Sequence, residues 1–342
     1  MAHAALIPFD LVSCVLLVRF SSIGDVLLTT PLVRSLRSRH PNARIVFVTK
    51  RAMAPLVADN PHLSDVVVLE PDEPLRELAR RLTALHPTHG LDLHGSLRST
   101  ALRLLVRCPW RGYSKRKLAR AVLVATKIDL YGRVVPVAER YFEAAVGLDV
   151  HPDQGPPEFF LGAAAKDRAK RWLEEHGLAD APFAVLAPGA AHFTKRWPVA
   201  HWQSAARRLR ARGLSLVTVG GPDDQALGEA LAPFAVNAAG ACSLQETGAL
   251  LTRARVALTG DTGVMHMATG VGTPVVALFG PTVRQFGFFP YAGPSEVLER
   301  VLDCRPCSVM GGPRCPMGHH RCLVDLEPDD VVRAVERLGL VA

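Results

Sequence analysis

Cys14-Val-Leu-Leu-Val-Arg-Phe-Ser-Ser-Ile-Gly-Asp-Val-Leu-Leu-Thr-Thr-Pro31 opens with a short apolar run, passes through a loop holding one glycine and one carboxylate, and resumes with helical spacing. Residues 14–19 read as a buried strand and residues 26–39 as a helix, and the apolar run at 44–48 supplies the next strand, a βαβ start. A helix over 52–58, a strand over 66–69, a helix over 75–85 and a strand over 91–93 continue the alternation. Such alternation predicts a parallel, doubly wound sheet.

The turn-formers of His151-Pro-Asp-Gln-Gly-Pro-Pro157 interrupt the pattern and place a domain boundary there. A second alternating run follows, with strands over 183–187, 215–219, 256–259 and 274–278. Helices are expected over 164–176, 200–212, 227–231, 244–253 and 264–269. A chain of 342 residues is long for one core. The reading is therefore α/β with two Rossmann-like parallel-sheet domains, 1–155 and 156–342. A last helix over 329–338 is expected to cross back to the first domain.

Hydrophobic residues make up 49% of the chain and charged residues 21%, which argues for folded domains rather than long disorder. The apolar run at 15–18 ends at Arg19, too short for a leader peptide, and no stretch of about 18 apolar residues could span a bilayer. The expected location is the cytoplasm. The net charge of +8 is unevenly distributed: residues 1–150 hold 21 Lys and Arg against 13 Asp and Glu, whereas residues 151–342 hold 19 of each. Arg98, Arg103, Arg107, Arg111, Lys115, Arg116, Lys117 and Arg120 fall in a segment with no acidic residue between Asp92 and Asp129. An anionic partner suits such a patch; a solvated helix face is the plainer alternative.

In open parallel sheets, ligands bind beyond the carboxyl ends of the strands, so the residues following each strand carry the information. Asp25 follows the first strand, where it either projects into the crevice or caps a helix with Ser22. Pro188-Gly-Ala-Ala-His-Phe-Thr-Lys-Arg-Trp-Pro198 offers Thr194, Lys195 and Arg196 after another strand, a set suited to phosphate oxygens or to an ordinary surface loop. In Thr259-Gly-Asp-Thr-Gly-Val-Met-His266, glycines flank Asp261-Thr262 at a helix start, where free N–H groups favour an anion. Asp261 there suits sugar hydroxyls, and His266 is either a cleft residue or a core histidine. Phe279-Gly-Pro-Thr282 follows closely, as a wall of the same site or a plain turn. The P-loop, the G-x-G-x-x-G fingerprint, the G-x-S-x-G elbow and H-E-x-x-H are all missing from the sequence.

These segments together resemble glycosyltransferase family 9, the ADP-heptose:lipopolysaccharide heptosyltransferases. The resemblance rests on Ser21-Ser-Ile-Gly-Asp-Val-Leu-Leu-Thr-Thr-Pro31, on Pro188-Gly-Ala with Lys195-Arg-Trp-Pro198, and on Gly260-Asp-Thr-Gly-Val-Met-His266 followed by Gly272-Thr-Pro-Val-Val-Ala-Leu-Phe-Gly-Pro-Thr282. It implies the GT-B architecture, with two domains facing a central cleft, and an inverting, metal-independent transfer of heptose from ADP-heptose to the lipopolysaccharide inner core. It implies Asp25 as general base and Thr194, Lys195, Asp261, Thr262, Gly263 and His266 as donor ligands. Ser22, Gly24 and Arg98 become acceptor contacts. The acceptor would be the anionic lipid A–Kdo core, met at the inner face of the inner membrane, with no nucleic acid and no cofactor needed for transfer.

Cys304, Cys307, Cys315 and Cys322 cluster near the end of the chain, with His319 and His320 between. One pair has zinc-ligand spacing and the other, Cys-x6-Cys, does not, so a structural zinc and a set of reduced thiols both stand as readings. Two functional alternatives remain: a family 9 transferase with another nucleotide sugar or acceptor, and a basic nucleic-acid-binding protein. The second is prompted by a pI near 9.4. Only 6% aromatic residues and the lack of any nucleic-acid-binding motif weigh against it.

Overall fold

Strand β1 (Cys14–Val18) is buried along its whole length, as a run of β-branched and apolar residues at the centre of a parallel sheet should be. The computed structural model describes residues 12–340; residues 1–11, where a leader peptide was sought, lie outside the described residues. β1 lies between β2 (Arg44–Lys50) and β4 (His89–Asp92), with β3 (Asp65–Leu69) beyond β2 and β5 (Trp110–Gly112) beyond β4, all parallel. Leu16 and Val18 of this strand and Phe20 after it join Val46, Val48, Leu78, Leu82 and Leu102 in one core. Each such fully buried aliphatic contributes about 1.5–3 kcal/mol.

The helix expected over 26–39 is two helices, α1 (Ile23–Leu27) and α2 (Thr30–Arg39). Pro31 has no N–H to offer the carbonyl of Leu27, and the Thr30 hydroxyl takes that carbonyl instead at 2.7 Å. Pro55 likewise shortens the helix expected over 52–58 to a 3₁₀ turn, Arg51–Leu56. Helices α3 (Leu75–Thr83) and α4 (Leu97–Leu105) pack on each other within this unit.

The second sheet has the order β11-β10-β9-β6-β7-β8, built from β6 (Phe183–Ala187), β7 (Ser215–Thr218), β8 (Val236–Asn237), β9 (Val256–Gly260), β10 (Val275–Phe279) and β11 (Ser295–Glu299). Its helices are α5 (Lys117–Thr126), α7 (Ala163–Glu175), α8 (Val199–Ala211), α9 (Gln225–Leu231), α10 (Leu244–Arg253), α11 (Gly263–Gly270), α12 (Arg321–Val324) and α13 (Pro328–Arg337); the short α6 (Val137–Arg140) lies in the first unit.

The chain divides into two units, residues 1–115 with 135–160, and residues 116–134 with 161–342. The break near 160 differs from the expected boundary at 155/156, and the excursion over 116–134 was not expected at all. Leu123 and Tyr131 explain it, because both bury against Phe286 of the second unit. The final helix also departs from expectation. Instead of returning to the first domain, α13 buries Val331, Val332 and Val335 in the core of the second unit, against α8 and β10.

Each sheet has one point where the strand order reverses direction, between β1 and β4 in the first and between β6 and β9 in the second. There the register aligns strand ends: Val18 with Asp92, and Ala187 with Thr259. Loops leaving adjacent strands must part at such a point, which leaves a crevice for a ligand.

Candidate active site

In the first unit, Asp25 sits in the opening turn of α1, just past the end of β1, and Ser22 is the N-cap. The cap reading of this junction is thus realised in part, since Ser22 Oγ donates to Asp25 Oδ2 at 2.8 Å. The carboxylate has further partners. Arg19 forms an ion pair with Oδ2 at 2.7 Å, and the Tyr141 hydroxyl donates to Oδ1 at 3.2 Å. Arg19 is only 5% exposed and anchors to the Leu93 carbonyl at 2.6 Å. Burial works against its charge, but Tyr141, Asp25 and Tyr113 more than offset this and raise its pKa.

Burial pushes the Tyr141 and Tyr113 phenols up, so Tyr141 keeps its proton and donates it to Asp25. The two rings meet edge to face with centroids 4.7 Å apart. His94 follows β4 and packs edge-on against Phe20. Its pKa is lowered to about 4, first by burial and then by Arg19 and Lys115, which leaves it neutral at pH 7. Asp92 Oδ1 accepts from the backbone N–H groups of His94 and Gly95, and Oδ2 accepts from Ser99 Oγ at 3.1 Å. The loop beside Asp25 is therefore rigidly tied.

In the second unit, the segment after β6 forms a 3₁₀ turn, Phe193–Lys195. It lies on the ends of β9 and β10, where Gly260 and Gly280 leave room: a Cβ on either would come within 3.0 Å of the carbonyl oxygen of Lys195 or Thr194. Lys195 Nζ reaches Asp261 Oδ2 at 2.6 Å, and the Thr282 hydroxyl donates to the same oxygen at 2.8 Å. Thr262 is the N-cap of α11, yet its hydroxyl meets that of Thr259 at 2.9 Å and caps no N–H. The N–H groups opening α11, beginning at Gly263, thus lack a side-chain cap beside a lysine.

The sequence-selected residues fare unequally. Lys195, Asp261, Thr262 and Gly263 come together, joined by Thr282. Thr194 is 3% exposed and exchanges hydrogen bonds with Gly312, accepting from its N–H at 2.8 Å and donating to its carbonyl at 3.2 Å. In this structure it ties the turn to the 301–320 segment. His266 is buried in α11 at 4% exposure. Ser22 and Gly24 share the turn of Asp25, while Arg98 lies exposed in the first turn of α4.

The zinc reading of Cys304, Cys307, Cys315 and Cys322 is not realised: among the described residues no three His, Cys, Asp or Glu side chains gather closely enough to hold a metal. α12 turns Cys322 into the apolar core beside Leu323 and Leu326. Burial, followed by the neighbouring cysteines, pushes its thiol up to about 11. Sequence reasoning missed Tyr141, Tyr113 and His94. Only His94 had a signal, its place just after a strand; the tyrosines lie about 90 to 120 residues from Asp25 with nothing local to mark them.

The profile of glycosyltransferase family 9 (heptosyltransferase) matches residues 75–315. Lipooligosaccharide heptosyltransferase 2 of Haemophilus influenzae is 28% identical over 350 residues, covering 95% of this chain and 98% of that protein. Among solved structures, a family 9 glycosyltransferase of Veillonella parvula superposes with a TM-score of 0.78 at 21% identity, covering 96% of this chain and 97% of that one. The ADP-heptose heptosyltransferase II of E. coli superposes with a TM-score of 0.74 at 24% identity, covering 95% and 98%. These two share the fold, two parallel-sheet α/β domains of the GT-B type. With the profile spanning well over half of its length, the chain belongs to glycosyltransferase family 9, the heptosyltransferases.

Proposed function

We propose that this protein transfers heptose from ADP-heptose to a hydroxyl of the lipopolysaccharide inner core, with inversion and without a metal. The observation that carries the reading is that each sheet presents a family motif at its point of strand-order reversal: Asp25 after β1, and Lys195 with Asp261 at the start of α11. In the transfer, a new bond forms between the acceptor oxygen and the anomeric carbon. The bond from that carbon to the β-phosphate oxygen breaks, ADP leaves, and the acceptor proton passes to Asp25.

Arg19 and Tyr141 hold the Asp25 carboxylate in one orientation, so its basic oxygen need not be sought by rotation. Lys195 and the N–H groups opening α11 stabilise the charge that develops on the leaving diphosphate. Asp261 engages donor hydroxyls once a diphosphate draws Lys195 away from it. His266 supports α11 from within, and Thr194 holds the turn. Ser22, Gly24 and Arg98 contact the anionic acceptor, a lipid A–Kdo core, and Arg98 begins the basic segment that faces it. No helix among the described residues is long and apolar enough to cross a membrane. We place the enzyme in the cytoplasm, in peripheral contact with the inner membrane surface.

The test combines stereochemistry and cation dependence. Proton NMR of the product should show an anomeric configuration opposite to that of the donor, with turnover unchanged in EDTA. Retention, or loss of turnover restored by a divalent cation, would overturn this part of the reading.

A further inference from the structure

Helix α4 buries little of itself. Ser99 and Leu102 face the core, with Val106 just beyond the helix, and the Ser96 cap and the Ser99–Asp92 bond fix that orientation. On the outer side, Leu97 is 92% exposed and Leu104 81%. With Ala101 they occupy positions i, i+4 and i+7, a spacing that puts all three on one face. Leu105, also exposed, extends the apolar surface into an open groove of about 490 Å³ lined by Ala79, Thr83 and Ala84 near the end of α3, alongside Arg76 and Arg80. The apolar stripe that a helix normally spends on the core here faces outward.

The exposed charges of α4 and the loop after it are of one sign, whereas Arg80 of the groove is paired with Glu77. Arg98 and Arg107 are exposed, and the sequence has no acidic residue from 93 to 128. A basic rim around exposed leucines complements a surface that is anionic outside and apolar beneath, which is the profile of a bilayer rich in acidic phospholipid. A second copy of this chain would set arginine against arginine.

We propose that this face of α4 docks the protein on an anionic lipid surface, with Leu97 and Leu104 entering the acyl boundary and Arg98 and Arg107 meeting headgroup phosphates. Docking here deepens the proposed function and rests on it only for its purpose, since a lipid-borne acceptor is met at such a surface.

The test is co-sedimentation of the full chain with phosphatidylethanolamine–phosphatidylglycerol vesicles and with phosphatidylcholine vesicles. Wild type should bind the anionic vesicles at least about tenfold more tightly than the neutral ones, and less tightly as salt rises. Leu97→Ser with Leu104→Ser should lose at least about tenfold of that binding, because apolar burial supplies it. Arg98→Gln with Arg107→Gln should bind more weakly and respond less to salt. Analytical ultracentrifugation of the leucine variant checks that its mass in solution matches that of wild type. Binding unchanged by the leucine substitutions, wild type binding neither vesicle, or a wild-type dimer that the leucine variant dissolves would each overturn the proposal. The vesicle assay contains no donor or acceptor, so failure of the transferase reading shows separately, as missing ADP release with a deacylated acceptor. That soluble turnover should stay within about twofold of wild type in the leucine variant.

Discussion

At the residue scale, Asp25 owes its placement to a partner far away in the sequence. The Tyr141 hydroxyl holds Oδ1 while Arg19 and Ser22 hold Oδ2. Tyr141→Phe removes the hydrogen bond to Asp25 and keeps the ring packing, so stability should fall by about 1 kcal/mol in urea unfolding. kcat should fall several-fold, with KM for ADP-heptose unchanged, because only the proposed base is loosened. His94 gives a pH signature. Its pKa is lowered to about 4 in the folded protein from an ordinary value of 6.5, so between those values the unfolded chain binds more protons. The stability it contributes is complete above pH 6.5 and is lost as pH falls through 4. His94→Gln should flatten the decline in melting temperature between pH 6.5 and 4, and an identical decline would contradict the burial argument. Asp25 was legible because it follows a strand; Tyr141 was not, because chain spacing says nothing of a contact made 116 residues away.

At the element scale, the strands read most clearly were those buried on both faces. β6 (Phe183–Ala187) and β9 (Val256–Gly260) are continuous apolar runs, and their limits match the reading to within one residue. β11 (Ser295–Glu299) escaped because it is an edge strand, half-buried throughout, with Glu at two of its five positions. α4 escaped for the opposite reason: its exposed leucines mask the helical alternation of core and surface. The turn after β6 depends on its strand-end glycines, which predicts a separable effect. Gly260→Ala sets a methyl 3.0 Å from the Lys195 carbonyl oxygen, which must give by a few tenths of an ångström and shifts the turn carrying Lys195 by that much. ADP affinity by calorimetry should fall about tenfold or more, about 1.4 kcal/mol, with the fold intact by circular dichroism. Unchanged affinity would show that the turn does not hold the diphosphate.

At the scale of the whole molecule, two parallel sheets were legible from alternation alone, while the division of the chain between them was not. The excursion over 116–134 is committed by Leu123 and Tyr131 to Phe286, a contact with no local trace, and α13 stays with its own unit because its valines complete that core. In the proposed mechanism, proton removal falls to one unit and binding of the donor diphosphate to the other. The most direct test is ADP release from ADP-heptose with a deacylated, heptose-deficient core acceptor, comparing wild type, Asp25→Asn and Lys195→Ala. Wild type should turn over only with acceptor present, Asp25→Asn should lose at least about a hundredfold in kcat while binding ADP normally, and Lys195→Ala should lose ADP affinity. Acceptor-dependent turnover in Asp25→Asn at the wild-type rate would contradict the central claim.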